Sequence, residues 1–150
     1  GLRLRFRAAV HDDLLRRLAA QHGVDDLVET LPPLPYRQAL AEMLRADALL
    51  VMQGDNCNQQ VPAKAYEYLR AKRPILCLAD PVGDTAAVMR DAGVSAIAKL
   101  EAGQAIEALL PAFVGSVAEQ RAGLPSAQAV QGASRERRSA ALAGLLQSAA

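Results

Sequence analysis

Tryptophan is absent, and the other aromatic residues are three tyrosines and two phenylalanines, 3% of the chain. So few ring faces leave little on which nucleobases can stack, which argues against a nucleic-acid platform. Cysteine is nearly absent as well: only Cys57 and Cys77 occur, the second inside the apolar run Ile75 to Ala79. That count and spacing indicate neither a disulfide framework nor a zinc site, and a thiol in an apolar run behaves as a small hydrophobe. A reducing, cytoplasmic setting is the expectation. His11 and His22 lack Cys or carboxylate partners at ligand spacing, so no metal is expected. No apolar stretch approaches the roughly 20 residues that cross a bilayer. The first residues are too basic and too interrupted for a signal peptide. Charge of one sign is not in excess either, with 17 basic against 16 acidic residues. No overall field therefore recruits nucleic acid or an anionic membrane.

What is present is apolar residue enough for a core, 51% of 150 residues, the length of one ordinary domain. The chain opens on Gly1 and passes directly into Leu2 to Phe6, which alternates like a strand. Such a start is expected of a piece of a longer protein. His11 to Gln21 places Leu14, Leu15 and Leu18 at helical spacing, with Asp12 and Asp13 early, Arg16 and Arg17 later, and Gly23 as the stop. A strand over Leu27 to Leu31, a Pro-rich turn to Pro35 and a helix over Tyr36 to Arg45 follow.

Ala48 to Met52 and Ile75 to Ala79 lack alternation, as strands covered on both faces do. Between them lie a polar loop, Gln53 to Gln60, and a helix expected to open with Pro62 at its first position. Asp84 is placed as the N-cap of a helix over Thr85 to Asp91 that stops at Gly93, and Val94 to Ala98 as a short last strand. From Glu101 the chain is helical and Ala-rich, breaks over Gly123 to Gly132, and ends in a helix over Ser134 to Gln147. Strands alternating with helices at these spacings predict an α/β fold, a Rossmann-like parallel sheet with helices on both faces.

In such sheets the ligand sits beyond the carboxyl ends of the strands. Gln53 to Glu67 occupies that place. The amides of Ala63 and Lys64 at a helix start, with the positive end of the dipole behind them and the Lys64 ammonium nearby, make an anion site. Glu67 shares a face with Lys64, since positions three apart are neighbours on a helix. A carboxylate there suits ribose hydroxyls as an acidic residue does in dinucleotide sites. Phosphate with ribose means a nucleotide. The competing reading is an ordinary exposed ion pair worth a few tenths of a kcal/mol. Tyr66 and Tyr68, two of the three tyrosines, flank Glu67 and weigh against it.

The series "ADALLVMQ", "VPAKAYEYLRAKRPILCLAD" and "GDTAAVMRDAG" resembles the C-terminal donor-binding domain of GT-B fold retaining glycosyltransferases, the group related to sucrose and glycogen synthases. The similarity spans roughly Leu4 to Gly93, with Ser134 to Leu146 resembling the closing helix. The resemblance implies one half of a GT-B fold over 1–150, truncated at its N-terminal side and missing an N-terminal acceptor domain. It implies a nucleotide-sugar substrate of UDP or GDP type and no separate cofactor. Glu67 then binds ribose, the helix start near Val61 and Lys64 holds the diphosphate, and Gln53 and Gly54 complete the donor site. A turn around Leu34 to Tyr36 borders the base. The family commonly has a second Glu upstream of the first with seven residues between them, where this chain has Gln59, a neutral group at a donor-sugar contact. No catalytic residue is assigned within the chain, and alone it is expected not to turn over.

Two other readings compete: a non-catalytic flavodoxin-like interaction or regulatory domain, and half of a GT-B-type nucleotide-sugar epimerase. Arg7 reads as a surface residue before a phosphate contact, and Asp55 and Asn56 as a plain polar loop. The turn Asp80 to Asp84 lies at another strand end, where it can reach a donor sugar. Arg135, Arg137 and Arg138 form one basic cluster, read as a solvated helix face with at most peripheral membrane contact.

Overall fold

The computed structural model of the chain describes residues 1–148. It contains β1 (Leu4–Arg7), α1 (Asp12–Gln21), β2 (Val28–Leu31), α2 (Tyr36–Arg45), β3 (Leu49–Met52), α3 (Ala63–Ala71), β4 (Ile75–Leu78) and α4 (Asp84–Asp91). After these come β5 (Ile97–Ala98), α5 (Gly103–Ala118), α6 (Ala127–Gly132) and α7 (Arg135–Ser148). The chain divides into two compact units, Gly1–Glu42 and Met43–Ala150.

In the first unit β1 and β2 pair in parallel, Leu4 opposite Val28 through Arg7 opposite Leu31. The strand starts two residues later than the alternation suggests. Leu4 is the first residue whose N–H finds the neighbour, at Leu27 O, 2.8 Å away. α1 is the crossover, its acids in the first turn as the dipole prefers. Its last turn holds no base, because Arg16 and Arg17 sit mid-helix. Arg16 instead reaches back toward Asp12 and Asp13 at 3.6 and 4.0 Å. Gly23 ends the helix with φ 63°, a left-handed conformation that only glycine adopts without cost.

The second unit holds a three-stranded parallel sheet in the order β3-β4-β5. Successive residues of β4 point to opposite faces. Ile75 and Cys77 join Ala65 and Leu69 of α3 and Met89 of α4 in one core, while Leu76 and Leu78 meet Ile106, Leu109, Leu110 and Phe113 of α5 in another. All four β4 residues are buried, so helices cover this sheet on both faces, as the unbroken apolar run predicts. Each buried Leu, Ile or Met contributes roughly 1.5–3 kcal/mol of transfer free energy. Parallel strands with helical crossovers make this an α/β fold of Rossmann-like type. Among the described residues no helix is long and apolar enough to cross a membrane.

Several element ends differ from the sequence reading. Pro62 is the N-cap of α3, with ψ at 141°, and its carbonyl accepts the Ala65 N–H at 2.9 Å. Gly83, not Asp84, caps α4; Asp84 is the first helical residue, its N–H drawn away to Asn58 O at 2.8 Å. The last strand shrinks to Ile97–Ala98, matching only the final two residues of β4. The break after Gly123 contains α6, capped by Ser126, whose Oγ accepts the Ala129 N–H at 3.1 Å. α6 lies against α3 and brings Ala133 into the first core.

Candidate functional site

Three loops leave the carboxyl ends of β3, β4 and β5, and they are tied to one another. Gln53 follows β3 and donates its main-chain N–H to Leu78 O at 2.9 Å. Its side-chain Nε2 turns back to Cys57 O at 3.1 Å, closing the short 3-10 turn Asp55–Cys57. Asn58 Nδ2 donates to Asp80 Oδ2 at 2.6 Å, and Asp80 Oδ1 accepts the Val82 N–H at 3.0 Å. These donors, Val82 first and Asn58 second, hold the Asp80 carboxyl below the usual carboxylate range. Lys99, just after β5, places Nζ 2.6 Å from Asp55 Oδ2, and that hydrogen bond raises the lysine above its ordinary value. Thr85 Oγ1 donates to Gln60 O at 2.9 Å.

Gly83 lies close against the Asn58 loop. A Cβ at that position would fall 3.2 Å from Asn58 Oδ1 and 3.3 Å from its main-chain oxygen.

The six expected donor residues lie along this loop and the start of α3. Gln53, Gly54 and Val61 are half-buried, and Gln59 is exposed. Gln53 spends its amide donor on the loop itself. The main-chain N–H groups of Ala63 and Lys64 carry no hydrogen bond to any described residue, as the first turn of a helix without a side-chain cap requires. Lys64 Nζ stands 3.1 Å from Glu67 Oε2, with the Lys side chain 66% exposed and the Glu side chain 27% exposed. The ammonium therefore already has a carboxylate partner. Tyr66 and Tyr68 pack against the first core; the Arg138 guanidinium lies 3.9 Å from the Tyr66 ring centre, and burial raises the Tyr68 phenol. Their enrichment around Glu67 thus has a packing cause.

Two hollows stand out elsewhere. One of about 490 Å³ in the first unit is lined by Arg16, Ala19, Asp25, Val28 and Thr30. Another of about 230 Å³ in the second unit is lined by Lys72, Leu124, Pro125, Ala127, Val130 and Gln131. Neither is lined by any of the six expected donor residues. Arg7, in the first unit, is engaged by Glu42 at 2.7 and 2.9 Å and by Pro32 O at 2.7 Å. Among the described residues no group of three or more His, Cys, Asp or Glu is arranged to hold a metal ion.

Sequence reasoning overlooked Lys99 and Asn58, and read Asp55 as part of a plain polar loop. The available signal was a polar residue within two positions of the end of each of β3, β4 and β5, namely Gln53, Asp80 and Lys99. Comparison with protein-family models, with curated proteins and with solved structures gives no match.

Proposed function

We propose that this chain is the donor-binding part of a retaining glycosyltransferase of GT-B type, taking a UDP- or GDP-sugar in a cytoplasmic setting. The observation that carries the reading is the start of α3: the unpaired main-chain N–H groups of Ala63 and Lys64, the Lys64 ammonium beside them and Glu67 one turn later, at the carboxyl end of a parallel sheet. The diphosphate takes the two amides. Lys64 swings from Glu67 to the phosphates, which frees the Glu67 carboxylate for the ribose hydroxyls. Amides already aimed at the leaving diphosphate stabilise the charge that develops on it. Val61, Gln53, Gly54 and Gln59 border the sugar side. An acceptor-binding domain completes the cleft, so turnover requires that partner domain.

Calorimetry with UDP and with GDP on the wild type and on Glu67→Ala tests this. Binding to the wild type, weakened in the variant, is expected; equal heats for both proteins remove Glu67 from the site. The closed Lys64–Glu67 pair favours a second reading, a non-catalytic interaction domain in which both are surface charges. It predicts no change in melting temperature with nucleotide, whereas a ligand at 100 times its Kd adds about 2.7 kcal/mol.

A further inference from the structure

We infer that the loop Gln53 to Gln60 is held in its closed form by two polar bolts, Asn58 to Asp80 and Asp55 to Lys99, which makes Asn58, Asp80 and Lys99 positioning residues for the donor side of the site. The assignment of that loop to a donor rests on the proposed function; the bolting does not.

The geometry argues for a purpose-built fastening. β3 and β5 flank β4, so their ends stand two strand spacings apart, about 10 Å. A lysine side chain covers part of that gap and the loop carrying Asp55 covers the rest, so that Lys99 Nζ comes to 2.6 Å from Asp55 Oδ2. The second bolt reaches only to the neighbouring strand end, and it is doubled by the main chain: Asn58 O accepts the Asp84 N–H at 2.8 Å. Asp80 is itself fixed by the Val82 N–H, so it offers Asn58 an oriented oxygen. Glycine at 83 lets the loop lie directly on the start of α4. Each polar contact is partly exposed, with Lys99 and Asp55 side chains 43% and 41% accessible. Exposed pairs contribute little to global stability, so the bolts act on the loop and leave the apolar cores unaffected.

The loop carries its own reporter. Cys57 lies in the 3-10 turn and is half-buried, whereas Cys77 is fully buried with its thiol pushed up to about 11 by burial. A chromogenic aromatic disulfide therefore labels Cys57 in the folded chain and leaves Cys77 as a monitor of unfolding.

The experiment measures the labelling rate in the wild type, in Asn58→Asp, in Lys99→Ala and in the double variant. Asn58→Asp sets two carboxylates against each other without changing size. The rate of single-thiol labelling is expected to rise about threefold in each single variant and about tenfold in the double variant, at an unchanged melting temperature. Wild-type labelling rates in a folded double variant overturn the inference. Should that variant label two thiols, and so have unfolded, Asp55→Ala decides: it removes both oxygens that Lys99 can reach, and an unchanged rate overturns the proposal as surely. UDP and GDP supply the second readout. Nucleotide affinity is expected to fall by up to the same factor as labelling rises, about threefold in the single variants and about tenfold in the double variant, through the added cost of ordering the loop; affinity that stays at the wild-type level in the double variant overturns the positioning role. A wild type that binds neither nucleotide defeats the donor reading, while the labelling rates still decide whether the loop is bolted.

Discussion

The two compact units are built on the same parallel β-α-β plan and held together by different forces. In Gly1–Glu42 a single residue, Ala19, is buried, and every residue of β2 is only half covered. Ion pairs instead run across this unit: Arg3 and Arg5 both engage Glu29 across β1 and β2, and Arg7 grips Glu42 through two nitrogens. In the second unit the whole of β4 is buried, and Met89 and Cys77 have no exposed surface. The lesson is that one topology accommodates either kind of contact, but only the charged one is lost to acid and to screening by salt.

The sharpest way to break the comparison is at Met89. Met89→Ala empties a fully buried site, and a loss of about 2–5 kcal/mol is expected by urea denaturation of the second unit. A loss below about 1 kcal/mol means that the site collapses freely and that the core is less well packed than its burial indicates.

Acid comes next, and it acts on the first unit. The Arg7 hydrogen bond holds the Glu42 carboxyl below the usual carboxylate range, and Arg3 does the same for Glu29, with partial desolvation opposing both. A carboxyl depressed in the folded state is protonated first in the unfolded chain. The stabilisation is therefore complete above the unfolded value, about 4.3, and is lost as the pH falls through the lower folded values. Amide exchange of β1 and β2 should accelerate in that acid window while β4 stays protected. Glu42→Gln should remove most of Glu42's share of this pH dependence and cost about 0.5–1 kcal/mol at neutral pH, since the pair is partly exposed. Equal acid sensitivity in β4 would erase the distinction between the units.

The smallest effect sharpens it. Arg16→Ala removes a 61% exposed guanidinium whose carboxylates stand at 3.6 and 4.0 Å, and a change within about 0.5 kcal/mol is expected from a thermal melt. Raising the salt concentration to 1 M should remove the ion-pair part of the difference, because screening then acts over about 3 Å, and leave only what the Arg16 Nε hydrogen bond to Thr30 Oγ1 at 3.0 Å contributes.

Much of the fold could be read before any coordinates. Ile75 to Ala79 announced a strand covered on both faces, because a strand with a wet face has to alternate. Helix starts were less legible. Pro62 and Asp84 each fall one position from their expected place, since a cap is decided by where the preceding loop sends its hydrogen bonds, and Asn58 takes the Asp84 N–H. Lys64 and Glu67 were found together as neighbours one turn apart, and their mutual pairing was the plainer of the two roles weighed for them. Tyr66 and Tyr68 misled, because an aromatic next to a carboxylate reads alike whether it lines a site or packs a core.

The amino-acid order by itself determined the alternation of strands and helices, the helical spacing of Leu14, Leu15 and Leu18 on α1, and the placing of a polar loop after β3. These are local properties, set by the 3.6 and 2.0 residue periods and by short-range backbone preferences. Only the tertiary structure decided that Asn58 meets Asp80 and that Lys99 meets Asp55. Parallel pairing brings strand ends that are distant in the chain to one edge, and that register is a sum over many weak contacts that no local pattern encodes.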